Sequence, residues 1–220
     1  MSPTARTLPQ QLYLLCYTVD KGTFELLNLQ GRGQLLRAGA LAEMTLDGLL
    51  GADGGKVVRL TDGPPDDPFL AEVWKDLPTE KPKNWLQFVH NKAHTADRPV
   101  RDQLADAGAL DVTRAALLGV LGTDKVTVTE PEQVRTLQER VRAAVLSGAD
   151  PSALPLKDVT LAVLAAETEV DTVLTAKEAR AHRKRFHELA AHFDTAVPGL
   201  RKALRGSYLS SRAVGGGWSS

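Results

Sequence analysis

The stretch that most constrains this chain is Gln34 to Leu50, QLLRAGALAEMTLDGLL, a helix-length run whose apolar residues surround almost its whole circumference. At about 100° per residue, Leu35, Ala38, Ala42, Leu46 and Leu49 fall along one side, while Leu36, Ala40, Leu41 and Met44 fill much of the rest. Such a helix needs packing partners on several sides, so the fold has to be built around it. Ala38, Gly39, Ala40 and Ala42 are small enough to let neighbouring backbones come close. Glu43 and Asp47 share one narrow face, Arg37 stands apart near the amino end, and Gly48 and the GADGG turn end the helix.

Candidate partners lie on both sides of it. TLPQ at Thr7 is a capping-box pattern with proline in the first turn, and Leu8, Leu12, Leu15 and Val19 then share a helical face. An extended LYLLCYTV hairpinned onto TFELLNL is the other reading of that short run. Residues 23–33 are a strand or loop leading into Gly31-Arg32-Gly33, which fits either a turn that brings amides near an anion or an ordinary flexible turn. Lys56–Leu60 reads as a strand, and helical patterns follow at Phe69–Leu77, Trp85–His90 and Arg98–Ala107. A glycine stop and a β-hairpin ending in KVTV come next, then helices at Pro131–Leu146, Lys157–Glu167 and Ala176–Ala196. RAGALAEMTLDGLLGADGGKVVRL and DQLADAGALDVTRAALLGVLGTDKVTV both run from helix through glycine to short strands. These patterns make the chain mainly α with short strands, and the GGGWSS end is expected to be disordered.

Charge narrows the possible partners. With Lys plus Arg and Asp plus Glu at 27 each, no global excess favours nucleic acid or anionic lipid, so either must be met by a local patch. Lys177–Arg205 holds eight Lys or Arg against three Asp or Glu, and Asp47–Glu80 reverses that balance. The single cysteine, Cys16, cannot form an internal disulfide and sits in an apolar run, which suits a reducing compartment. No secretory signal and no run of about 20 apolar residues is present, so any contact with a membrane is expected to be peripheral and cytoplasmic.

Motifs for catalysis are missing from the sequence: there is no phosphate-binding GxxxxGK loop, no GxSxG elbow and no HExxH, and no enzyme, cofactor or metal is expected. His90 and His94 could share a helical face but lack a third ligand, and His182, His187 and His192 step by five, about 140° apart. Arginine is the more informative residue. Arg98 and Arg101 project together from a helix and could grip a phosphate with forked donors, or pair with Asp97 and Asp102. Arg37, at the start of the most buried helix, could join helix-end amides in favouring an anion or neutralise a nearby carboxylate.

LPQQLYLLCYTVDKGTF, LLRAGALAEMTLDGLL, NWLQF at Asn84, VRDQLADAGAL, VLGTDKVTVTEP and VRAAVLSGADPSAL, in that order, resemble the Golgi phosphoprotein 3 family, in a bacterial-type form, over residues 8 to 170. The resemblance implies a single globular helical domain, over residues 1–206, with a protruding β-hairpin and short strands, followed by a disordered tail over 207–220. Such a domain would bind phosphatidylinositol 4-phosphate or a similar anionic phospholipid in a basic pocket at a membrane surface. It also implies an adaptor for the cytoplasmic tails of membrane glycosyltransferases, and a hairpin used in self-association and membrane contact. Carried onto this chain, the pocket arginine falls on Arg37 and the pocket tryptophan at about Asn28. Arg98 and Arg101 lie within a turn of the remaining pocket arginines. The hairpin positions are Leu118, Val120, Leu121, Val126 and Val128. The alternatives are a winged-helix-like nucleic-acid binder, suggested by the helix-then-hairpin echo, and a protein adaptor that does not touch lipid; the neutral charge gives no expectation of nucleic acid.

Overall fold

The computed structural model describes residues 6–25, 29–113 and 124–215. The central helix runs over Arg32–Leu46 (α2), two residues earlier at its start than the apolar run and four shorter at its end. It is buried on all sides from Leu35 to Met44. The helices ringing it are α1 (Leu8–Leu15), α3 (Pro68–Asp76), α4 (Trp85–His90), α5 (Asp97–Asp106), α7 (Leu156–Glu167) and α10 (Leu200–Gly215). The small residues act as expected, since a Cβ on Gly39 would sit 2.6 Å from Leu12 Cδ1 and push α1 away. Truncating a fully buried leucine here, such as Leu41→Ala, would cost about 2–5 kcal/mol.

α1 is the helix that its capping box encodes: the Thr7 side chain accepts from Gln10 N–H and the Gln10 side chain accepts from Thr7 N–H. The extended alternative survives only in its last residues, as β1 (Tyr17–Thr18) paired antiparallel with β2 (Thr23–Phe24) around a one-turn helix closed by Gly22. Glu43, from α2, binds the start of α1 by accepting from Leu8 N–H at 2.5 Å and from Lys157 Nζ at 3.1 Å. Burial pushes the Glu43 carboxyl above the usual carboxylate range, against those two bonds.

The internal echo is realised as two helix–hairpin units. α2 leads into β3 (Leu50–Asp53) and β4 (Lys56–Arg59), with β5 (Lys83–Asn84) added to the β4 edge, and α5 leads into β6 (Leu110–Thr113) and β7 (Lys125–Val128). In the second hairpin Leu110 stands opposite Val128 and Thr113 opposite Lys125. α6 (Pro131–Leu146) and α7 match their sequence patterns, and one buried cluster runs from Leu8 to Leu204.

The carboxy-terminal third departs from expectation twice. The charged stretch is two helices, α8 (Ala176–Ala181) and α9 (Arg183–Ala196), meeting at His182, where the backbone leaves helical geometry. The expected tail also begins too early. α10 continues through 207, with Ser207 and Tyr208 buried, because Tyr208 packs on Gly31 and Gln34 Nε2 donates to Ser211 Oγ at 2.7 Å. Residues 216–220 lie outside the described part. No described helix is long and apolar enough to cross a membrane.

Candidate functional site

Arg37, the expected pocket arginine, is in the protein's interior. Its side chain is 2% exposed; Nε donates to the Phe88 carbonyl and Nη2 to Asp76 Oδ2 at 3.0 Å. Burial lowers its pKa from the ordinary arginine value and the Asp76 contact opposes that shift. Asp76 is shared with Lys92, whose Nζ lies 2.6 Å from Oδ1. Arg37 therefore fastens α2 to α3 and α4, and has no free face for a headgroup. The physical reason is helical phase: a residue flanked by Leu36 and Ala38 on an all-round buried helix has only an internal carboxylate to meet.

A hollow lined by charged side chains lies one and a half turns earlier. A cavity of about 540 Å³ opens between α1, β2, the start of α2, α5 and β7, and Arg32, Arg101 and Lys125 line it together with Asp97 and Asp124. Three cations and two carboxylates line it, and a third carboxylate, Asp102, holds Arg101 from just outside. Arg32 is the first residue of α2, so the hollow lies beside the positive end of that helix.

Arg32 is held in place by several contacts at once. Its guanidinium carbon lies 4.5 Å from the Tyr13 ring centroid and 5.3 Å from that of Phe24, two rings that meet edge to face at 5.2 Å. Nη2 forms an ion pair with Asp97. Nη1 is buried without a hydrogen-bond partner, and so is Asp97 Oδ1, the oxygen of the ion pair beside it, so that a donor and an acceptor are both left unsatisfied here. Beneath it, burial raises the Tyr13 phenol above its ordinary value, with Arg32 acting the other way, so Tyr13 stays a neutral packing surface.

The two helical arginines of α5 part company. Arg101 reaches the hollow, with Nη1 donating to Asp124 Oδ2 at 3.1 Å and Nε and Nη2 to Asp102 Oδ1 at 3.2 and 3.1 Å. Burial acts to lower its pKa, but Asp102 and Asp124 more than offset that and leave it raised. Arg98 points into solvent, 77% exposed and 3.5 Å from Asp102, and does not line the hollow.

Val128 is buried and so is not available to lipid or to another subunit, while Val126 is partly buried, packing on the core where it lines the hollow. A strand that covers a core must turn alternate residues toward it. Asn28, Leu118, Val120 and Leu121 lie outside the described residues.

Sequence reasoning missed Arg32 and Lys125. The signal for Arg32 was the Gly31-Arg32-Gly33 tripeptide: Gly31 has φ of +76°, and a Cβ on Gly33 would lie 1.8 Å from the Ala93 carbonyl oxygen. Both glycines are needed for the chain to turn into α2 under close cover. Lys125 had no signal of its own, because only strand register brings it near Arg101.

A larger hollow of about 650 Å³ lies between α1, α6 and the start of α7, lined by Arg6, Arg140 and Lys157. Arg140 is 3.1 Å from Asp158, Lys157 is 3.1 Å from Glu43, and Arg6 donates to Gln133. No orphaned donor marks it. Among the described residues no group of three potential ligands could hold a metal ion.

The model of a protein family, Golgi phosphoprotein 3 (GPP34), matches residues 8–206. No curated protein is similar enough to count as a relative.

Proposed function

We infer, from the premise that this chain belongs to the Golgi phosphoprotein 3 (GPP34) family, that it is a peripheral membrane protein binding the phosphate of an anionic phospholipid headgroup in the Arg32 hollow. Phosphatidylinositol 4-phosphate, whose phosphate monoester is exposed at the bilayer surface, is the type of ligand in view. The observation that carries this reading is the buried, unaccepted Nη1 of Arg32 beside Arg101 and Lys125. A phosphate oxygen would accept from Arg32 Nη1, and Arg101 and Lys125 would share its charge through short, charge-assisted bonds. Asp97 and Asp124 would give up part of their hold on the arginines and accept from ring hydroxyls of an inositol headgroup. Tyr13 and Phe24 supply the flat support that keeps the Arg32 fork oriented.

The test is flotation of the full chain with phosphatidylcholine vesicles, with and without phosphatidylinositol 4-phosphate, over a range of salt. The expected result is binding only when the phosphomonoester lipid is present, weakening as salt rises. Equal recovery with both vesicles, or with neither at low salt, overturns the proposal. The family resemblance extends the same reading to an adaptor role toward the cytoplasmic tails of membrane enzymes.

A further inference from the structure

α8 and α9 carry four cations within eight residues: Lys177, Arg180, Arg183 and Lys184, all exposed. None has an acidic partner among the described residues, in a protein where most other arginines are ion-paired. The carboxylates of these two helices are already engaged: Glu178 meets Arg142 at 2.7 Å, Glu188 meets Arg185 at 3.3 Å and Asp194 meets Arg201 at 2.7 Å. Lys177 and Arg180, three apart on α8, lie about 60° apart around that helix, and Arg183 and Lys184, adjacent at the start of α9, lie about 100° apart around theirs. α9 is anchored in the core by Leu189, Ala190 and Phe193, a stripe that lies opposite Lys184 and borders Arg183.

Four exposed, unpaired positive charges within eight residues of chain repel one another, an arrangement that a neighbouring anion relieves. None of the four lines the Arg32 hollow or the larger cavity, so they do not enclose a small ligand there. A partner must instead present negative charge across a surface. We propose that this face rests on the anionic phospholipids of a bilayer and supplies headgroup-independent attraction, separate from recognition in the hollow. Clusters of four or more Lys and Arg on one face of an amphipathic helix attract acidic lipid at about 1 kcal/mol each close to the surface. A polynucleotide is less well suited, because Phe186 and Phe193, the aromatics of α9, pack inward and offer no ring for a base to stack on.

The proposal extends the membrane reading above, and its test separates the two. The full chain is floated at low salt with vesicles of phosphatidylcholine, of phosphatidylcholine with phosphatidylserine, and of phosphatidylcholine with phosphatidylinositol 4-phosphate. Wild type is compared with Arg32→Gln and with a variant carrying K177Q, R180Q, R183Q and K184Q, whose unchanged melting temperature confirms its fold. The expected result is that the fourfold variant loses phosphatidylserine binding by about tenfold or more, while Arg32→Gln retains it. If the fourfold variant binds phosphatidylserine vesicles as wild type does, the proposal is overturned. It is also overturned if wild type prefers duplex DNA to those vesicles at the same salt and the fourfold variant loses that preference. Failure of Arg32→Gln to change phosphatidylinositol 4-phosphate binding would remove the hollow and leave this face standing.

Discussion

Arg32 and Arg37 stand five residues apart on one helix, turned about 140° from each other, and meet opposite fates. The Arg32 guanidinium lies over Tyr13 with one nitrogen unaccepted, while Arg37 is locked against Asp76. One helical phase thus divides a cation that lines a hollow from one sealed in the interior.

Removing Asp76 leaves the Arg37 charge buried and unpaired, so Asp76→Ala is expected to destabilise the protein by about 3–5 kcal/mol. Lys92→Ala removes only the exposed partner and is expected to cost about 1 kcal/mol or less. Chemical denaturation measures both. Equal, small losses would mean that the buried pair does not hold α2 to α3 as described.

Gly33→Ala places a methyl group against the Ala93 carbonyl, which cannot move without shifting the backbone before α5. A loss of about 1–3 kcal/mol is expected, together with weaker vesicle binding as Arg32 is displaced. Gly63→Ala, with open space around the added carbon, is the control and should leave both unchanged.

Glu178 gives a pH-dependent prediction. Hydrogen bonds from Arg142 and then from the Thr175 hydroxyl and amide hold its carboxyl at about 2, below the ordinary 4.5. A depressed carboxyl stabilises the fold above its unfolded value, and that contribution is lost as pH falls from about 4.5 toward 2. The melting temperature of Glu178→Gln should therefore fall less over that window than that of wild type. Parallel curves would show that the Arg142 contact contributes nothing to stability.

The parts of this fold written in local pattern were legible from sequence: the all-round apolar helix, the capping box at Thr7, the proline-led α6 and the two helix–hairpin units. What depended on long-range contact was not. The continuation of α10 past residue 206 rests on Tyr208 meeting Gly31, more than 170 positions away, and polar SYLSSR gives no sign of it. The site followed the same rule. Arg101 was readable from helical spacing and Arg32 was hinted at by its flanking glycines, but Lys125 enters only through pairing with Thr113. Arg37 was misread because a buried arginine and a ligand-facing one look alike until the carboxylate opposite is known.

The most direct measurement is the affinity of Arg32→Gln, against wild type, for vesicles containing phosphatidylinositol 4-phosphate at low salt, with the variant's fold verified by its melting curve. Loss of a charge-assisted bond to the ligand, about 1.5–3 kcal/mol, predicts binding weaker by about tenfold to a hundredfold. Unchanged affinity in a folded Arg32→Gln protein would contradict the account.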